Sequence, residues 1–171
     1  MRIFAAICLL GLLYWPANGA LSQASKQQPS SASGRKNSKL YKYRNSKYGF
    51  TFLLPATWKG CKIVEGNWDG GDNNGPHGYE VLERGPEITI VNPRSTESDE
   101  YQDIEIMIFT HKQWNSLEEG KFFVSAAPVG PGELGRNDKY VFAEPPRMIN
   151  PDLQGADELL SIMKANPLHA F

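Results

Sequence analysis

No aspartate or glutamate precedes Glu65, although the same 64 residues carry ten lysines and arginines. The chain of 171 residues has 18 basic and 19 acidic side chains in total. Residues 65–171 therefore hold 8 basic against 19 acidic groups, and the formal charge of −1 hides a body of net −11. A balanced total hides a basic front and an acidic body. Arg2 is followed by thirteen uncharged residues, Ile3–Trp15, then Pro16 and small residues. This order of charged, apolar and small residues predicts a secretory signal peptide over 1–20. Thirteen residues fall short of the roughly 20 that cross a bilayer as a helix. Cleavage after Gly19 or after Ala24 leaves small residues at the required positions. The chain is expected to be exported, periplasmic or extracellular, with no stable membrane span after cleavage. Cys8 would leave with the signal, so Cys61 would be the one thiol of the mature protein, and no internal disulfide could form.

Residues 21–39, LSQASKQQPSSASGRKNSK, hold almost no large apolar side chain. They predict a disordered basic Ser/Gln/Lys-rich linker, because such a composition cannot bury enough surface to order itself. The remaining residues, 40–171, predict a single α+β domain. Without the signal and tether this part carries 13 basic and 19 acidic groups. That net −6 argues against nucleic acid, whose phosphates call for the opposite sign.

Within 40–171 the apolar residues alternate more often than they follow a helical period. Tyr48, Phe50, Phe52 and Leu54 are spaced by two and stopped by Pro55, as a half-buried strand requires. Trp58–Val64, Tyr79–Glu83, Glu87–Val91, Lys121–Val124 and Lys139–Ala143 read as further strands, the second and third split by Gly85-Pro86. Ile104, Ile106 and Ile108 alternating with Glu105, Met107 and Phe109 give the clearest strand of all. Glu65–Gly78 and Asn92–Asp103 are expected to be irregular, and Pro128–Asp138 turn-rich. Thr110 and Gln113 have capping-box spacing ahead of a helix over His111–Glu118. A second helix is expected with Asn150 as cap, Pro151 at its first position and Leu153, Ala156, Leu160 and Met163 on its buried face. Most connections are too short for parallel crossovers. The expected fold is an antiparallel β-sheet covered by one or two helices.

Tyr43, Tyr48-Gly49-Phe50-Thr51-Phe52, Leu54-Pro55 and Trp58 resemble the opening of PsbP/Mog1-like α/β/α sandwich domains. A longer stretch resembles a set of uncharacterised exported bacterial proteins. The shared features are Gly85-Pro86-Glu87-Ile88, Tyr101-Gln102-Asp103-Ile104, Phe109-Thr110 with Trp114, and Gly132–Asn137 leading to Lys139–Ala143. The resemblance implies a signal followed by one such domain, and an accessory or binding role. It brings no catalytic residue.

Searches for chemistry give few leads. Asn67–Gly75 looks like a calcium loop, but aligning Gly75 with the loop glycine puts Gly70 at the first ligand and Val81 where a bidentate Glu belongs. His77, His111 and His169 have no metal-ligand spacing, and no phosphate loop or nucleophile elbow is present. No catalytic residue, metal or cofactor is expected. Glu118-Glu119 reads as solvated helix surface. The stretch Gly130–Arg147 concentrates Glu133, Arg136, Asn137, Tyr140 and Arg147 among turn residues, where binding sites tend to sit. With Trp58 and Trp114 as aromatic walls, these form the candidate binding surface for an unknown envelope protein or small ligand. The competing reading is a turn network with Arg136 and Glu133 paired and both tryptophans in the core. The functional expectation is an exported non-catalytic binding or accessory domain. A small cell-envelope hydrolase, or an interaction protein that oligomerises through Cys61, is the alternative.

Overall fold

A computed structural model describes residues 40–75, 78–125 and 129–171, with the side chains of 73–75 undescribed. The signal and linker expected over 1–39 lie outside the described residues, as does His77. The chain runs β1 (Tyr41–Asn45), β2 (Phe50–Leu54), a 3-10 turn (Ala56–Trp58), β3 (Lys62–Gly75), β4 (Gly78–Val91), β5 (Ile104–Thr110), α1 (His111–Glu118), β6 (Gly132–Arg136), β7 (Tyr140–Glu144), α2 (Ala156–Lys164) and β8 (Leu168–Ala170). The strands make two antiparallel sheets, β1-β2-β8 and β3-β4-β5-β7-β6. The α+β class is as expected; the single sheet is corrected to two.

Strand β5 explains why. Ile104, Ile106 and Ile108 bury one face completely, and Met107 and Phe109 bury the other. The isoleucines join Ile88, Ile90 and Phe142 of the large sheet to Phe50, Phe52 and Leu54 of the small one, with Leu159 and Ile162 of α2. Met107 and Phe109 join Val141, Ala143, Trp68, Trp114 and Phe122. The five-stranded sheet is thus the middle layer, with the small sheet and α2 on one side and α1 on the other. Each fully buried Phe or Ile contributes roughly 1.5–3 kcal/mol of transfer free energy, so both faces must be covered.

The expected irregular segment Glu65–Gly78 is instead most of a long hairpin. Strand β3 pairs with β4 from Lys62↔Val91 to Gly75↔Gly78, with register shifts at Gly70/Gly71 and Asp72/Gly75. Its glycines are seats for aromatic rings. A Cβ at Gly85 would stand 2.4 Å from Trp68, and one at Gly70 would stand 2.5 Å from Phe122. The rings complete a stack, with Trp68 and Phe109 centroids 4.3 Å apart and Trp68 parallel to Phe122 at 6.1 Å. Trp68 Nε1 donates to the Ile108 carbonyl at 3.0 Å. The composition that reads as loop therefore builds a strand, because flat rings replace the missing side chains. Gly85-Pro86 does not split β4 either. Pro86 stands just before Glu87–Ile90, the stretch that pairs with β5, so its missing N–H falls at the margin of that ladder.

Other boundaries also differ from expectation. Trp58 belongs to the 3-10 turn, and β3 starts only at Lys62. Lys121–Val124 contributes one bridge, Phe123 to Gly71, in place of a strand. The turn-rich stretch before Asp138 contains β6. The capping box at Thr110 is present, with Gln113 N donating to Thr110 Oγ1 at 3.2 Å and Thr110 N to Gln113 Oε1 at 3.0 Å. Helix α2 begins later than expected. Gln102 N donates to the Gln154 carbonyl at 2.8 Å and holds residue 154 extended beside Tyr101. Asn150 accordingly caps a turn, accepting from Asp152 N, and Gly155 at φ 85° opens the helix. The later start rotates the buried face to Leu159 and Ile162 and leaves Leu160 exposed.

Gly85→Ala should push Trp68 out of its stack and cost about 1–3 kcal/mol. Chemical denaturation of the full chain measures this, and an unchanged midpoint would show that the stack has room to give.

Candidate functional site

Asn137 is the best-connected of the expected site residues. It sits in the turn from β6 to β7, where its Oδ1 accepts from Lys139 N at 3.0 Å and from Tyr140 N at 2.9 Å. Its Nδ2 faces three carbonyls, Tyr48 at 3.0 Å, Gly49 at 3.2 Å and Phe171 at 3.3 Å. The Asn137 carbonyl is 2.8 Å from His111 Nε2. A Cβ on Gly49, at φ 80°, would stand 2.7 Å from the Phe171 carbonyl and 2.8 Å from Asn137 Nδ2, so only glycine admits this clamp. Asn137 joins three distant chain segments and has no polar atom to spare for a ligand.

Around the clamp lies a groove of about 470 Å³ whose walls include Lys47, Tyr48, Arg136, Asp138, Tyr140 and Phe171. Its charges are largely matched. Lys47 Nζ is 2.6 Å from Glu65, which raises the lysine's pKa, and Arg136 Nε donates to Glu133 at 2.7 Å. That guanidinium holds the Glu133 carboxyl below its ordinary range. Tyr140 packs edge-on against Tyr48, with ring centroids 5.6 Å apart.

A second groove, of about 510 Å³, opens at the C-terminal end of α1. Trp114, Leu117, Phe123, Val124, Val129 and Pro131 supply apolar walls, and Glu118 supplies a carboxylate. Trp114 Nε1 donates to Glu118 Oε1 at 2.9 Å, one helical turn on, and so fixes where that oxygen points. Phe123 and Val129 are 49% and 64% exposed, a large apolar surface to leave in water.

The structure therefore divides the residues that the sequence groups together. Arg136, Asn137 and Tyr140 line the first groove, with Glu133 bound to Arg136 beside it. Trp114 lines the second, although only 5% of it is exposed. Trp58 lines neither; it is 1% exposed in the core, where its Nε1 has no hydrogen-bond partner among the described residues. Arg147 is exposed in the turn closed by Met148 N to the Pro145 carbonyl, and its φ of 57° is a left-handed conformation. Sequence reasoning passed over Phe123, Val129 and Glu118. As adjacent helix residues, Glu118 and Glu119 read together as solvated surface; Glu119 is exposed, in an ion pair with Lys121, whereas Glu118 accepts from Trp114. The spacing of Trp114 and Glu118 by four was the available signal.

Three carboxyls share the large-sheet face that carries Met107. Burial raises Glu87 and Glu105, and each is raised further by a neighbouring acid, Glu105 and Asp103 respectively. Burial also raises Asp103, against a hydrogen bond from Asn92 N at 2.7 Å. Among the described residues no group of three or more His, Cys, Asp or Glu is arranged to hold a metal ion. Cys61 is half-buried against the main core, and burial pushes its thiol pKa up, away from the reactive thiolate.

Asn137→Ala, which removes the clamp, should cost about 2–3 kcal/mol, whereas Arg136→Ala breaks an exposed pair and should cost about 1 kcal/mol or less; paired denaturation curves compare them. Arg147→Gly should relieve the left-handed turn and stabilise the chain by about 1 kcal/mol, read the same way. Glu87 and Glu105 bind protons more tightly folded than unfolded. Their contribution is complete below the unfolded carboxyl range, at about pH 4, and is lost as pH rises through the raised folded values. Glu105→Gln should therefore raise the melting temperature at neutral pH and flatten its decline between mild acid and neutrality.

No family model, curated protein or solved structure matches this chain.

Proposed function

We propose that this chain is an exported, non-catalytic binding or accessory domain of the cell envelope, and that it holds its ligand or partner in the groove at the end of α1. The observation that carries this reading is the wall of that groove. Trp114, Leu117, Phe123, Val124, Val129 and Pro131 surround one oriented carboxylate. Binding sites are built this way, with an apolar body for affinity and a few fixed polar groups for orientation. The volume, about 510 Å³, is in the range that accepts a side-chain cluster or a drug-sized molecule. Export rests on the order Arg2, Ile3–Trp15 and the small residues that follow. The reading of the fold as a PsbP/Mog1-like sandwich draws support from a central sheet with helices on opposite sides, beside the Tyr43–Trp58 motif.

Val129→Asp places a charge at the mouth of the groove without touching either core. It should abolish retention of partners by the tagged protein in envelope extract while leaving the melting temperature within about 2 °C of the parent. Arg136→Ala should retain them. Equal retention by parent and Val129→Asp would move the binding surface elsewhere. Recovery of the protein from the native cell's cytosol with Met1 intact would sink the export reading.

A further inference from the structure

The groove is one end of a longer apolar track. Phe123 bridges to Gly71 through two backbone hydrogen bonds of 2.8 Å, and Gly71 pairs in turn with Val81 of β4. Residues directly opposite in antiparallel pairs project from the same face. Phe123 and Val81 therefore stand on one face of the hairpin, separated by a glycine that contributes no side chain. A Cβ on Gly71 would lie 2.7 Å from the Tyr79 ring, which puts that ring over the gap. Tyr79 and Val81 are 55% and 45% exposed. Val129, Phe123, Val81 and Tyr79 thus give exposed apolar side chains from the mouth of the groove onto the hairpin. A compact small molecule could cover the groove but not the whole track.

Glu118 is the charged group among the described walls of the groove, and Arg136, the cation that feels its charge, is itself paired with Glu133. The helix dipole adds partial negative charge at the end of α1, where Glu118 lies. Trp114 holds the Glu118 carboxylate in place, while Glu119 is neutralised by Lys121. A cation is the complement of this end, and apolar side chains are the complement of the rest.

Building on the binding reading above, we propose that the occupant is an extended peptide segment of a partner protein. It carries one lysine or arginine, which meets Glu118, next to aromatic or aliphatic side chains that lie over Phe123, Val81 and Tyr79. Charge sets the register of the segment and speeds its arrival, and apolar contact holds it. The mode is that of a short linear motif docked in a shaped groove.

The test is panning of a random dodecapeptide phage library on the full chain, followed by fluorescence anisotropy with the enriched peptides. The expected clones combine a basic residue with aromatic or aliphatic neighbours. Their Kd should rise about tenfold or more in Glu118→Gln, which keeps an oxygen for Trp114 Nε1 and removes only the charge, and likewise in Val81→Asp. Replacing the peptide's basic residue by citrulline should abolish the difference between parent and Glu118→Gln. Clones that lose binding in Val129→Asp but not in Glu118→Gln, or that carry no basic residue, would overturn this inference and leave the groove as a binding site. Clones indifferent to Val81→Asp, and displaced by n-hexylammonium alone, would mark a small-amine pocket and overturn it too. If no clone responds to Val129→Asp, Glu118→Gln or Val81→Asp, the inference and the groove reading fall together.

Discussion

Every layer of this domain is organised by a strand that has no solvent side. Strand β5 sends isoleucines into one core and Met107 and Phe109 into another, so nothing stable forms until both are roofed. One roof is the small sheet with α2, and the other is α1 with Phe122 and Trp68. The capping box at Thr110 begins α1 on the residue that ends β5, so the helix turns directly back over the strand it must cover. Covering both sides of one sheet with so few helical residues requires large flat side chains. The second core accordingly stacks Trp68 with Phe109 and Phe122, sets Trp114 edge-on to Phe109, and fills in with Met107, Val141 and Ala143.

That economy places the candidate site. Helix α1 has only eight residues and ends before it has covered its side of the sheet. The segment after it crosses to β3, and the wedge between helix and crossing becomes the groove. The same short helix ends on Glu118 and places Trp114 one turn before it, where the indole serves the core through its ring and the groove through its N–H. A single residue thus ties the stability of the second core to the orientation of the one carboxylate among the described residues that line the groove.

Much of this was legible in the chain wherever one local rule applied. The Phe50–Leu54 and Ile104–Phe109 alternations, the Thr110–Gln113 cap and the helix it starts are decided by neighbours in sequence. The misreadings share a cause, which is a distant partner overriding a local preference. Gly70, Gly71 and Gly85 signal a loop until Phe122, Tyr79 and Trp68 lie on them. Asn150-Pro151 signals a helix start until Gln154 is held by Gln102. The grouping of Glu133, Arg136, Asn137, Tyr140, Arg147, Trp58 and Trp114 followed sequence proximity and residue chemistry. The fold spread them over a turn groove, a helix-end groove and the core interior. Asn137 drew attention as a polar residue in a turn, and its polarity serves the backbone of its own chain.

The clamp at Asn137 bears on how the molecule assembles. It draws together carbonyls from positions 48, 49 and 171, close to where β8 pairs with β2 across more than a hundred residues of chain. Contacts of that sequence separation form late and slowly, because the entropy of closing a long loop is spent before any contact offsets it. The small sheet is a hairpin of β1 and β2 until Leu168–Ala170 arrives, and a two-stranded hairpin alone is marginal in water. The roof over the isoleucine face is therefore complete only once Leu168–Ala170 has paired with β2. A chain cut before Leu168 would keep the hairpin and lose the strand that widens it into a roof for those isoleucines.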